Sequence, residues 1–324
     1  MASDWRPTAS FDNLRLRARV LAKIRTFMEQ RGVAEVETPA CCSAAVTDPA
    51  LASLATLFTG PGAHCGKPLY LHTSPEFAMK RLLAAGSGPI YQICKVFRDG
   101  EAGRYHNPEF TLLEWYRPGY DVHRLMDELS ALVRCVVAKP LTEHRLSYQA
   151  LFAKHLGIDP HTATPGALRQ CAIERGVASA EALQMADSDS WLDLLLTHCI
   201  EPQLGPDMLL VYDYPASQAS LAQIKPGKIP LAERFELYLN GVELANGFHE
   251  LADAGEQRQR FQQDLAKRGR QNLPLPPLDE RLLAALAAGL PDCSGVALGV
   301  DRLLMCIVEA DHIDQVLSFP IDRA

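Results

Sequence analysis

The chain has 324 residues and a formal charge of −7, with 48% apolar and 22% charged residues. That balance fits a folded protein with a full core, enough for one large domain or two ordinary ones. Lys and Arg form no dense run, which argues against wide nucleic-acid binding through phosphate contacts. No membrane span is expected, because the most apolar C-terminal stretch, residues 296–308, is short and broken by Asp301 and Arg302. Residues 1–7 have no basic start leading into an apolar run, so no signal peptide is expected. Nine scattered cysteines with no C-x-x-C pair read as free buried thiols of a cytoplasmic protein.

Asp12 is placed to cap a helix whose apolar stripe is Leu14, Val20, Leu21, Ile24, Phe27 and Met28, with Gly32 as its stop. Residues 33–37 read as a short strand running into Pro39, and 41–67 as a long loop rich in Gly, Pro and small residues. A strand at 69–72 precedes a helix at 75–85, with Pro75 in its first turn. Strands at 90–98 and 109–117 flank a polar loop containing Asp99, Gly100 and Gly103. Residues 121–205 read mainly as helices, and a strand at 211–214 ends at Pro215. Segments 233–239 and 242–246 flank Asn240-Gly241, the strongest short hairpin signal. A charged helix at 252–270, a helix at 279–288, a strand at 293–299 and a helix at 300–310 complete the chain. Hairpins interleaved with helices give an α+β class with a mixed or antiparallel sheet. Neither a Walker loop nor a G-x-G-x-x-G after a strand occurs, so the common nucleotide folds are not supported.

With Asn240-Gly241 as a two-residue turn, Leu239 pairs with Val242, Tyr238 with Glu243 and Glu236 with Ala245. Glu236 and Glu243 then share a face as diagonal neighbours, with β-carbons roughly 7 Å apart. They read either as two solvated glutamates or as hard oxygen ligands converging on a magnesium ion.

Three segments resemble the signature motifs of class II aminoacyl-tRNA synthetases. Val36-Glu37-Thr38-Pro39 resembles motif 1, and Val96-Phe97-Arg98 through Tyr105-His106-Asn107-Pro108-Glu109-Phe110-Thr111 resembles motif 2. Gly295-Val296-Ala297-Leu298-Gly299-Val300-Asp301-Arg302 resembles motif 3. Thr73-Ser74-Pro75-Glu76 and Asn246-Gly247-Phe248-His249-Glu250 resemble segments of the lysyl branch. Only about a dozen residues precede the first helix, leaving no room for an anticodon-reading domain. That absence resembles the paralogues that attach lysine-type amino acids to a protein. Leu112-Leu113-Glu114-Trp115-Tyr116-Arg117-Pro118, 215–223 and Pro291-Asp292-Cys293-Ser294-Gly295 are similar to these paralogues as well.

The resemblance implies a single catalytic domain over 1–324, an antiparallel sheet of six or seven strands flanked by helices, with a mostly helical insertion at about 140–205. It implies a homodimer through motif 1, with ATP and magnesium as cofactors. The implied activity is a ligase joining (R)-β-lysine, and less well α-lysine, to a lysine side chain of elongation factor P, with no membrane and no tRNA partner. The alternatives are a stand-alone lysyl transferase acting on tRNA or a small acceptor, and a non-catalytic synthetase-like subunit.

Arg98 would bridge the amino-acid carboxylate and the α-phosphate, and Arg302 would face the γ-phosphate; both suit a planar five-donor fork. Asp99, Gly100, His106, Asn107, Glu243, Leu244 and Gly299 are the remaining implied ATP contacts, and Glu236 and Glu243 the metal ligands. Glu76, with Ser74, would meet the backbone amine, while Glu114, Tyr116 and Glu250 receive the side-chain ammonium and Asn246 orients the substrate. Two departures stand out. Gly100 occupies the usual motif 2 Glu position, with Glu101 beside it, and Ala297 stands where synthetases usually have Gly. The added methyl suits a β- rather than an α-amino acid.

Overall fold

The computed structural model describes residues 5–63 and 66–324. Residues 1–4, part of the segment read as lacking a signal peptide, and 64–65, the end of the expected loop and one of the nine cysteines, lie outside them. Helix α1 (Phe11–Glu29) is capped by Ser10, whose hydroxyl accepts from the Asn13 N–H. Asp12, expected as the cap, instead sits in the first turn, where a negative charge favours the helix dipole.

The stretch expected to be loop carries two short strands, β2 (Cys41–Cys42) and β3 (Ala55–Phe58), after β1 (Ala34–Glu35). Both pair with β4 (Lys67–Leu71) in a separate three-stranded sheet. Next come α2 (Glu76–Ala84), β5 (Ile90–Phe97), β6 (Glu109–Pro118) and α3 (Val122–Val137). The insertion holds α4 (Tyr148–Leu156), α5 (Pro165–Glu174) and α6 (Ser188–Leu195), but it begins with a strand, β7 (Glu143–Ser147). Strand β8 (Met208–Pro215), the two-residue β9 (Ile224–Lys225) and the hairpin β10 (Leu231–Leu239) and β11 (Val242–His249) follow. The chain closes with α7 (Ala254–Arg270), α8 (Glu280–Gly289), β12 (Cys293–Gly299) and α9 (Val300–Val308).

The large sheet runs β1-β5-β6-β12-β11-β10-β8-β7, with β9 beside β10. Its middle six strands are all antiparallel, and the edge strands β1 and β7 join parallel to β5 and β8, so the sheet is wider than expected and mixed at its rims. Alternation sends Leu113, Trp115, Val296, Leu298, Phe235 and Leu237 into one core with α1, α3 and α9. Two smaller cores lie elsewhere, one binding α4–α6 to β8 and β10, the other joining α2, α7 and α8. The middle of the sheet's second face is left open between them.

One charged contact ties this framework together. Asp301 is 2% exposed, accepts from Arg17 of α1 at 2.5 Å, and accepts from the Thr111 N–H of β6 at 2.6 Å. Arg17 also donates to the Thr111 hydroxyl at 2.6 Å, so the first helix, β6 and the start of α9 share one network. Among the described residues every cysteine is free, but only Cys171, Cys199 and Cys293 are buried, while Cys42, Cys94 and Cys306 are half-buried and Cys41 and Cys135 exposed; no helix is long and apolar enough to cross a membrane. Asp301→Ala strands the guanidinium of Arg17, and the expected loss is about 3 kcal/mol of unfolding free energy, measured by urea titration.

Candidate active site

The hairpin register departs from the simple two-residue alternation. Leu239 faces Val242 and Tyr238 faces Glu243, as expected, but Leu237 faces Ala245 and Glu236 faces Asn246. One extra residue of β11 is absorbed at Leu244, a β-bulge. Glu236 therefore does not pair with Ala245. The bulge lets Glu243 and Asn246, three apart, face the same side.

Register then lays the site across the sheet in rows. Glu114 pairs with Ala297, Ala297 with Asn246 and Asn246 with Glu236, over four adjacent strands. The next row holds Tyr116, Gly295, Phe248 and Arg234. These rows floor a cleft of about 1920 Å³, walled by the 43–53 loop, α2 and α7. Gly295 has to lack a side chain. A β-carbon there would stand 2.3 Å from the Tyr116 ring and 2.5 Å from Glu250 Oε1.

One end of the cleft is an acidic recess. Glu114 is 2% exposed, and its Oε2 accepts from the Tyr116 hydroxyl at 3.2 Å. The Ser74 hydroxyl, at the wall of the same cleft, accepts from the Glu76 N–H at 3.0 Å. Glu114 Oε1 is buried and has no hydrogen-bond partner. Burial, then the charge of Glu76, pushes the Glu114 carboxyl up to about 8. Glu250, also buried, is pushed up to about 7 by burial and Glu76, against the pull of Lys80.

The other end is rich in arginine. Arg98 extends from the end of β5 with its guanidinium 5.0 Å from the centre of the Phe110 ring, and its buried Nε has no partner. Its Nη1 lies 3.6 Å from Glu101 Oε1. Arg302 donates to the Glu243 carbonyl at 2.9 Å and reaches Glu243 Oε2 at 3.4 Å. It also donates to His106 Nε2 at 2.7 Å. A guanidinium can only donate, so Nδ1 is the ring nitrogen that carries the proton. Burial and the Arg302 charge both lower the His106 pKa.

Arg98, Arg302, His106, Glu243, Leu244 and Gly299 all line the cleft, and so do the expected amino-acid contacts. Asp99 and Gly100 do not. They lie in the turn beyond Arg98, and it is Glu101 that faces inward. Asn107 reaches the cleft wall with both ends of its amide engaged by backbone, donating to the Glu109 carbonyl and accepting from the Ile321 N–H.

Glu236 accepts from the hydroxyls of Tyr214 and Tyr238, each at 2.6 Å, and from Arg234. Three donors leave a carboxylate about one lone pair. Glu243 carries only the longer contact to Arg302, and burial together with the charge of Glu236 raises its pKa. A cation would relieve that repulsion, so the pair fits a magnesium ion with Glu243 as its principal ligand. Among the described residues no group of three His, Cys, Asp or Glu side chains is arranged to hold a metal.

A family model described as tRNA synthetases class II (D, K and N) matches residues 2–323. The chain belongs to the class II tRNA synthetase family. Its relatives include a protein of Edwardsiella ictaluri, 54% identical across 100% of this chain and 99% of its own length. Proteins of Sodalis glossinidius and Pectobacterium carotovorum are each 52% identical, again over at least 99% of both chains. All three carry the name elongation factor P–(R)-β-lysine ligase.

Three charged residues of this class II site escape the motif reading. Lys80 is buried between Glu76 and Glu250, and its place one helical turn after Glu76 is a signal that could have found it. Arg234, two residues before Glu236 on the same strand face, donates to the Gln218 carbonyl and to Asn246. Glu201 follows α6, and burial with the charges of Glu243 and Glu236 pushes it up to about 7; nothing in its sequence context marks it.

The Glu114 carboxyl titrates near 4.5 when unperturbed and near 8 in the fold. Across that window the folded state keeps a proton that the unfolded chain has lost, so raising the pH destabilises the fold by up to about 1.4 kcal/mol per pH unit. Glu114→Gln is expected to reduce this decline between about pH 5 and pH 8 in urea titrations of the ligand-free protein, leaving the contributions of the other raised carboxyls, among them Glu250, Glu201 and Glu243.

Proposed function

We propose that the chain activates a lysine-type amino acid with ATP and transfers it to a lysine side-chain amine of elongation factor P. One observation carries this reading. A buried recess of carboxylates, with Glu114 Oε1 left unpartnered, opens into the same cleft as the donors of Arg98 and Arg302. Such a recess rewards a cationic amino acid and leaves charge unpaired beneath a neutral one. The full-length similarity to proteins named elongation factor P–(R)-β-lysine ligase supports the same acceptor.

In the first step a substrate carboxylate oxygen attacks the α-phosphorus of ATP, the bond to the β-phosphate breaks, and pyrophosphate leaves. Arg98, at the mouth of motif 2, holds the carboxylate and the α-phosphate in line and offsets the charge that builds there. Arg302, anchored by the Glu243 carbonyl and His106, is held toward the triphosphate. Magnesium held at Glu243 and Glu236 would add charge neutralisation at the phosphate oxygens. Glu76 takes the backbone amine, while Glu114 and Glu250 take the side-chain ammonium. In the second step the acceptor amine attacks the acyl carbon, gives up a proton, and AMP leaves. Assembly of two copies through the exposed motif 1 segment belongs to the same reading.

Purified elongation factor P, incubated with the protein, ATP, magnesium and (R)-β-lysine or α-lysine, is expected to gain one lysyl unit by intact mass, more with the β isomer. Charged tRNA with an unmodified factor would replace this acceptor with tRNA.

Ala297 lies between Glu114 and Asn246 in register and lines the cleft, so its methyl forms part of the floor on which the amino acid would lie. Ala297→Gly is expected to raise the α-lysine to β-lysine ratio of kcat/KM about tenfold, the usual worth of one methyl in a fitted pocket. An unchanged ratio in pyrophosphate exchange would remove Ala297 from isomer selection.

A further inference from the structure

Lys80 is the most deeply buried cation beside the recess, with 2% of its side chain exposed. Its ammonium lies 2.7 Å from Glu76 Oε1 and 2.6 Å from Glu250 Oε2. Glu76 comes from the first turn of α2, Lys80 from the next turn, and Glu250 from just beyond β11. Burying an ammonium is costly unless it is paired, and here two carboxylates keep it charged, well above the ordinary lysine value.

The contacts also reveal what Lys80 does to its partners. Glu76 and Glu250 are the two carboxylates assigned to opposite ends of the substrate, and a single ammonium spans them. With Glu114 they make three carboxylates around one recess, and the charge of Glu76 acts on both of the others. Burial keeps a proton on Glu114 in the empty recess, and a substrate ammonium that displaces it leaves three charges, of which the resident ammonium offsets one. Two remain, the number of ammonium groups on a lysine or β-lysine, whose carboxylate is taken by Arg98.

Resting on the activity read above, we propose that Lys80 is a positioning residue for amino-acid selection: clamped between Glu76 and Glu250, it fixes the spacing of these carboxylates and leaves the recess with room for two ammonium groups. Without it, Glu76 and Glu250 face each other unshielded. One of them then takes a proton or turns away, and the substrate amine it should receive loses a charged partner. The ATP end, which contains neither Glu76 nor Glu250, is not touched by this change.

The test is ATP–pyrophosphate exchange by Lys80→Met and Lys80→Gln, with thermal unfolding followed in parallel. The expected result is a rise of at least about tenfold in the KM for (R)-β-lysine or α-lysine, with the KM for ATP held within about twofold. Lys80→Arg, which keeps the charge, should recover part of the lost affinity. A fall in kcat with both KM values moved together, unchanged kinetics, or failure of both variants to fold would each overturn the proposal in favour of a structural ion pair. Thermal shift by lysine against uncharged-chain norleucine separates the two readings. If the parent protein shows no exchange yet is stabilised by lysine alone, and Lys80→Met loses that shift, the activity falls and the role of Lys80 stands. If lysine gives the parent protein no shift, both fall.

Discussion

A single unmatched residue sets which side chains of the β10–β11 hairpin face the cleft. Between Tyr238–Glu243 and Leu237–Ala245 the two strands step out of register, and Leu244 is the surplus. Residues three apart on a regular strand face opposite sides of the sheet. The bulge brings Glu243 and Asn246 to the same side, while Leu244 and Ala245 both remain in the core. Glu243 meets Arg302 and Asn246 joins the row with Ala297 and Glu114 because of that one-residue slip. An unbulged hairpin would bury one of the two polar groups against α3 and α9.

Around this hairpin the cleft is polarised lengthwise. Carboxylates cluster where β6, β12 and the end of β11 meet α2, and guanidinium groups cluster where β5 ends and α9 begins. Neither charge type is left to solvent alone. Lys80 sits among the acids, and Glu101 and Glu243 sit among the bases. Each end is only partly balanced within itself, so a ligand that carries the missing charges finds groups already oriented and spends little on rearranging them.

Much of this was legible from residue types and their order. Asn240-Gly241 announced the hairpin, and Arg98 and Arg302, each at the junction of a strand with the next segment, reach the same cleft that their motifs implied. The register was harder to foresee, because a bulge at Leu244 leaves no turn residue or break in hydrophobicity. Ser10 displaced Asp12 as the helix cap because both are good caps and α1 starts at Phe11, ahead of the first residue of its apolar stripe, Leu14. Strands β2 and β3 are short and exposed, so they carry no alternating pattern, and β7 gains its strand character only by lying against β8. Lys80 reads in sequence as one more basic residue on a helix, and only the approach of Glu250 from a distant strand makes it a buried cation.

The missing side chain at Gly295 has a consequence for altering the substrate range. Tyr116 and Glu250 close on that position from two elements, so the recess is narrowest where the chain offers no atoms to remove. Enlarging it for a bulkier amino acid has to proceed from the ring of Tyr116 or the methyl of Ala297, and any residue larger than glycine at 295 shuts the recess first. At position 295 the width of the recess is thus written in backbone, where no substitution can widen it.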